Sequence, residues 1–189
     1  MKTPRFAFLA LLLALLGLAG LRLPAPAATP PSDVRVKIVT QQGDIIVALD
    51  SKRAPKTVAN FLHYVDGKFY DGGTFFRAVP GFVIQGGNQP RERPGDQPIP
   101  LEGPLSTGIR NKDGAISMAR TSDPNSATSE FFICDGDQPA LDGSNTAPGY
   151  AAFGHVVSGM NVVRAIAHAP AQDEHLLEPV KIVKIVRLH

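Results

Sequence analysis

Cysteine occurs once in this chain, at Cys134, so no intramolecular disulfide can brace it and the core must hold the fold alone. Set in the apolar run Phe131-Phe132-Ile133, that thiol reads as a small buried hydrophobe and not as a nucleophile. Charge of one sign is also scarce. The formal net charge is +2, which gives no reason to expect nucleic acid or an anionic membrane surface as a partner. The common signatures of chemistry are missing too. There is no His-Glu-x-x-His, no Cys-x-x-Cys, and His63, His155, His168, His175 and His189 are scattered, so no metal and no cofactor is expected. No Gly-x-Ser-x-Gly elbow occurs, and the glycines from Gly81 to Gly87 lack the Lys and Ser/Thr that would hold phosphate. A chain without a nucleophile, an acid–base pair or a metal set either binds something or catalyses a reaction that needs none of them.

What is present is an ordinary globular composition. Hydrophobic residues make up 43% and charged residues 19%, which argues against disorder, and 189 residues suffice for one domain. The first 27 residues read as an address. Lys2 and Arg5 give a basic start, Phe6 to Leu21 an apolar run, and Ala25-Pro26-Ala27 a small-x-small end, which is the layout of a secretory signal. The run is shorter than the roughly 20 residues of a membrane span. The expected division is a signal peptide over 1–27, a Pro-containing linker over 28–33 and one domain over 34–189. The product is then exported and periplasmic, without stable membrane association after cleavage; an uncleaved anchor or release to the medium are the alternatives.

In the domain, Val34, Val36 and Ile38 alternate with Arg35 and Lys37, and Ile45, Val47 and Leu49 follow after Gln41-Gln42-Gly43-Asp44, which reads as a hairpin. Over 54–69 the period changes: Val58, Phe61, Leu62 and Val65 form one helical stripe behind Pro55, with Gly67 as the expected stop. Two short strands broken by Pro80-Gly81 are expected over 74–85, with Gly86-Gly87 allowing a tight bend, then a long polar loop to Asp113. Short strands over 115–119, 130–134 and 150–157 follow, then a helix capped by Ser158 with Met160, Val163, Ile166 and Ala167 inward, and a closing strand over 180–188. About seven or eight strands, in pairs interleaved with two single helices, predict a mainly β fold: an antiparallel sheet closed into a barrel with helices over its open ends.

Two stretches carry a family resemblance. Phe75-Phe76-Arg77-Ala78-Val79-Pro80-Gly81-Phe82-Val83-Ile84-Gln85-Gly86-Gly87 resembles the long signature of the cyclophilins, and Ser117-Met118-Ala119-Arg120 with Ser129-Glu130-Phe131-Phe132-Ile133 resembles a second family stretch. Leu141-Asp142-Gly143 and Phe153-Gly154 add a weaker match, and the likeness spans essentially all of 34–189, closest to exported bacterial members. The resemblance implies a closed eight-stranded antiparallel β-barrel with two capping α-helices, in keeping with that reading, and a peptidyl-prolyl cis-trans isomerase acting on proline-containing polypeptides, expected as a monomer. By the same resemblance Arg77 is the catalytic arginine and Gln85 the substrate-orienting glutamine. Phe82, Val83, Phe132 and Leu141 form the proline pocket, and Ala119 and Arg120 meet the peptide backbone. Phe76, Glu130 and Tyr150 stand at the groove where His, Gln and His are usual, and Ala140 stands where Trp is common. With no Trp in the chain, weak cyclosporin binding is expected. Glu130 lies near the groove, where it bears on substrate preference and could pair with Arg77 or stand as a solvated charge.

These residue types suit the reaction. An X-Pro bond turns over a barrier of about 18–20 kcal/mol, and rotation localises a lone pair on the prolyl nitrogen. A donor aimed there binds the twisted amide better than the planar one, and arginine keeps its charge at any working pH. An apolar cup grips the ring. A proline-segment-binding chaperone with incidental turnover is the competing expectation, which a proline assay separates from the enzyme.

Overall fold

The computed structural model describes residues 34–88 and 97–188; the leader and linker expected over 1–33 lie outside the described residues. Strand β1 (Val34–Thr40) turns through Gln41-Gln42 into β2 (Gly43–Leu49), in register from Val34 opposite Leu49 to Thr40 opposite Gly43. Helix α1 (Pro55–Asp66) buries the expected stripe together with Thr57 and Tyr64. Its first-turn N–H groups receive no side chain from Ala54. The Glu102 carboxylate accepts them instead, from Lys56 at 3.2 Å and Thr57 at 2.8 Å. The helix ends at Asp66 with Gly67 as its C-cap, its N–H donating to the His63 carbonyl, and Lys68 beyond it turns the chain with a left-handed φ of 54°.

The rest of the chain runs β3 (Thr74–Val79), β4 (Val83–Asn88), a one-turn helix α2 (Pro104–Thr107), β5 (Ala115–Met118), β6 (Phe131–Cys134), a 3₁₀ turn at Pro139–Asp142, β7 (Ala152–Ser158), α3 (Met160–Ala167), β8 (Ala171–Gln172) and β9 (His175–Leu188). All pairings are antiparallel. Eight strands close a ring in the order β1-β2-β7-β5-β6-β4-β3-β9, with β9 returning to β1, and the two-residue β8 hangs on the start of β9. This is the expected barrel. Helix α1 leaves from the end of β2, while α3 follows Gly159, whose backbone lies against Asp44 and Ile45 at the start of β2; the two helices therefore serve opposite ends. Inside, Phe61 of α1 packs edge-on against Phe131 and tilted against Phe153, and Val163 and Ile166 of α3 join the same core. Among the described residues no helix is long and apolar enough to cross a membrane.

Three local expectations change. Ser158 ends β7 and does not cap α3; Gly159 precedes the helix at φ 97°, where an added Cβ would come within 2.4 Å of the Asp44 carbonyl oxygen. Gly86 and Gly87 make no turn between strands but lie within β4 at a bulge opposite Thr74 and Phe75, Gly87 at φ 90°, and a Cβ there would strike the Phe75 ring at 2.8 Å and the Phe131 ring at 2.9 Å. The glycines make room for core aromatics. The closing strand begins five residues early, at His175, because it first pairs with β8.

Candidate active site

Strand alternation builds the site. On β6, Phe131 and Ile133 face the barrel core, while Phe132 and Cys134 belong to a second apolar cluster; on β4, Ile84 faces in and Val83 belongs to the second cluster. The period of two in side-chain direction puts that cluster on the barrel's outer face. Val83, Ala115, Phe132 and Cys134 are its buried floor, with Phe82, Ala119, Leu141 and Tyr150 packed half-buried around it. The Phe132 and Tyr150 rings meet edge to face with centroids 5.6 Å apart.

A polar row borders this cup. Register pairs Arg77 with Gln85, Gln85 with Phe132, and Phe132 with Ser117, so four strands set these side chains directly opposite one another. Residues so paired have Cβ atoms about 4.5–5.5 Å apart. Arg77 Nη1 donates to Gln85 Oε1 at 3.3 Å, and Gln85 Nε2 donates to Glu130 Oε2 at 2.9 Å. A direct pair of Glu130 with Arg77 is thus replaced by a relay through the Gln85 amide. The guanidinium carbon lies 6.0 Å from the centroid of Phe82, facing the cup.

One partner of Arg77 was invisible in the sequence. Glu174, in the turn between β8 and β9, accepts from Arg77 Nε at 2.8 Å and from Nη2 at 2.5 Å through one oxygen, Oε2. It lies 97 positions from Arg77, and its turn carries no Asn-Gly or Asp-Gly signal. A second unforeseen residue is Asn111, which is 1% exposed. Its Nδ2 donates to the Leu141 carbonyl at 3.0 Å and to Asp142 Oδ1 at 3.1 Å, while its Oδ1 accepts from Ser117 Oγ at 2.6 Å. Asn111 thereby fixes the 138–150 loop, which brings Leu141 and Tyr150 to the rim.

Most of the expected groove residues come together here. Arg120 stacks over Tyr150 at 4.4 Å and donates to the carbonyls of Thr121, Pro148 and Gly149, so its side chain secures the rim. Phe76 does not join the cup: it sits half-buried at the bulge between Phe75 and Arg77 and belongs to neither apolar cluster, because the register shift there takes it out of step. Ala140 lies exposed on the 3₁₀ turn. Cys134 is fully buried in the floor, and loss of solvation pushes its thiol up to about 12, with Asp142, Asp113 and Asp137 adding to the rise. It is inert at neutral pH. A separate depression of about 420 Å³ shares only Ala115 with the cup, and its charges are largely engaged as Arg53–Asp50, Arg110–Asp142 and Arg164–Asp113 pairs.

The described residues thus form an apolar cup on the outer sheet face, bordered by a guanidinium held by Glu174 and Gln85. Residues 35–187 match the family model described as cyclophilin type peptidyl-prolyl cis-trans isomerase. The chain is 40% identical over 152 residues to peptidyl-prolyl cis-trans isomerase A of Dickeya dadantii, covering 79% of each chain. It is 38% identical over 160 residues to an Acinetobacter baylyi peptidyl-prolyl cis-trans isomerase, covering 82% of this chain and 85% of that one. A Cryptosporidium parvum cyclophilin crystal structure superposes with a TM-score of 0.73 at 25% identity, over 84% of this chain and 99% of that one. The chain belongs to the cyclophilin family and is a peptidyl-prolyl cis-trans isomerase.

Proposed function

We propose that Arg77 accelerates X-Pro rotation by donating to the prolyl nitrogen as the amide twists, while the Phe82, Val83, Phe132 and Leu141 cup holds the ring. The observation that carries this is the register row placing Arg77 and Gln85 beside Phe132. Arg77 commits three N–H groups to Glu174 and Gln85, out of the five a guanidinium has, so two remain for a substrate. The donor is preorganised, since its charge and direction exist before the substrate twists. A donor of this kind contributes about 3–4 kcal/mol in a site that excludes water. The twisted amide is also less dipolar than the planar one, so the apolar wall favours it over either flat isomer.

A related Cryptosporidium parvum cyclophilin, with a TM-score of 0.72 and 26% identity, was crystallised in the presence of the dipeptide Ala-Pro, which supports a proline side chain as occupant of the cup. The expected clients are exported proteins. The basic, apolar and small-residue order of the first 27 residues supports this. A protease-coupled proline assay on the full-length chain tests the mechanism: Arg77→Ala is expected to lower kcat/KM by about 10²–10³. A loss below about threefold, with the melting temperature unchanged, overturns the role of Arg77. Mass spectrometry of the N-terminus after expression in a bacterium with a periplasm tests export, with cleavage after Ala27 expected and an intact Met1 in the cytoplasmic fraction refuting it.

A further inference from the structure

The turn between β8 and β9 has an unusual build and an unusual position. Its two central residues, Asp173 and Glu174, have φ values of 50° and 67°, a left-handed conformation that side chains other than Gly, Asn and Asp adopt rarely. The two-residue hairpin demands positive φ at both positions. The turn is then fastened to the catalytic strand: the Ala78 N–H donates to the Glu174 carbonyl oxygen at 2.9 Å, and His175 pairs in register with Arg77. The Glu174 backbone is therefore fixed one residue away from Arg77, and its side chain has a short reach.

That reach ends on the guanidinium. Glu174 Oε2 takes the Nε and Nη2 edge, and Gln85 Oε1 takes one N–H of Nη1. A carboxylate in the turn and an amide oxygen on β4 thus fix both the direction and the plane of the fork, leaving one N–H on each terminal nitrogen. Without Glu174, Arg77 keeps one 3.3 Å bond to Gln85 and the face of Phe82. A long, rotamer-rich side chain is poorly fixed by so little.

We infer that Glu174 is a positioning residue: it holds the Arg77 guanidinium toward the cup and is required for full turnover. This rests on the proposed role of Arg77. The Glu174 side chain is 52% exposed, and exposed ion pairs contribute little to stability, so its effect falls on catalysis and not on folding. Misplacing a reacting group by a fraction of the required geometry is costly in rate even when binding persists.

The test uses the full-length chain in the proline assay, with Glu174→Ala and Glu174→Gln alone and Glu174→Ala combined with Arg77→Ala. Glu174→Ala is expected to lower kcat about tenfold with KM within about twofold. Glu174→Gln, which keeps an acceptor oxygen without the charge, should lose about threefold. Melting temperatures should stay within about 2 °C of the parent. In the Arg77→Ala background the Glu174 change should cost less than about twofold, because the group it positions is gone. A parent-like or raised kcat in Glu174→Ala, an undiminished loss in the Arg77→Ala background, or a loss that follows a lowered melting temperature overturns the inference. If instead Arg77→Ala is itself as active as the parent, the reading of Arg77 fails first.

Discussion

Replacing Asn111 by alanine separates the architecture of the cup from its chemistry. The Asn111 side chain makes three donations, to the Leu141 carbonyl, Asp142 and, at 3.4 Å, the Tyr150 carbonyl, and takes one from Ser117. After truncation the Leu141 carbonyl still accepts from the Tyr150 N–H at 2.9 Å, and Asp142 keeps the Asn111 backbone N–H at 2.7 Å. The Ser117 hydroxyl, 0% exposed, is left without the acceptor that Asn111 supplied. A buried polar group left unpaired costs about 1–3 kcal/mol, and a lost bond to a carboxylate about 1.5–3 kcal/mol, so a total near 3 kcal/mol follows. For a domain of this size that is a fall in melting temperature of about 6–12 °C. The rim loosens while the Arg77 row on β3, β4 and β6 stays in place. KM should therefore rise several-fold, with kcat within about twofold. Thermal unfolding and the proline assay read both effects. Adding Ser117→Ala to Asn111→Ala should recover about 1 kcal/mol, since removing both partners abolishes the orphan. An Asn111→Ala protein that melts within 2 °C of the parent with unchanged KM, or a double variant no better than the single, refutes the reasoning.

Glu102→Ala should lower stability by about 1–2 kcal/mol, because it strips two N–H groups at the start of α1 and the buried Thr57 hydroxyl, which donates to Glu102 at 2.8 Å; an unchanged urea midpoint would count against that cap. Cys134, with its thiol pushed up to about 12, should resist a thiol reagent at pH 8 in the native protein and react promptly in denaturant; stoichiometric native labelling within minutes would show the floor to be open. Hydrogen bonding from Arg187 holds the Asp66 carboxyl below its ordinary 3.8. A depressed carboxyl stabilises the fold above its unfolded value, and that contribution is lost as pH falls through the folded value. Urea midpoints should therefore drop in acid below about pH 4, and Asp66→Asn should lessen the drop, by a small amount since both side chains are partly exposed; an acid limb identical in the variant refutes the assignment.

Local strand alternation made the elements of the barrel legible, and the motif stretches named the cup residues although these gather from Phe82 to Tyr150. Arg77 and Gln85 are eight positions apart on one hairpin, and Phe131 and Phe132 adjoin. What stayed hidden depends on long-range contact. Glu102 caps a helix 45 positions earlier, Asn111 binds a loop about 30 positions later, and Glu174 reaches Arg77 across 97. None of the three sits in a local pattern that specifies its partner. Gly86-Gly87 misled for a different reason. A glycine pair most often marks a turn between elements, but here it forms a bulge inside β4 whose missing Cβ atoms admit the Phe75 and Phe131 rings.

The unbroken apolar run Phe131-Phe132-Ile133-Cys134 shows how fold and function share one piece of chain. A barrel strand with one wet face would alternate apolar and polar residues, as β1 does. Here both faces are dry: Phe131 and Ile133 belong to the barrel core, Phe132 and Cys134 to the floor of the cup. The strand is held from its inner side by a packed aromatic core, with Phe131 edge-on to Phe61, Tyr70 and Phe75. The cup floor is therefore braced from behind, and the same packing fixes the spacing of Phe132, Gln85 and Arg77 along the paired strands. A flexible loop bearing the same side chains would have to be ordered by each substrate, at an entropic cost that would offset the modest stabilisation one guanidinium supplies. Building the site on the outer half of core strands removes that cost before any substrate arrives.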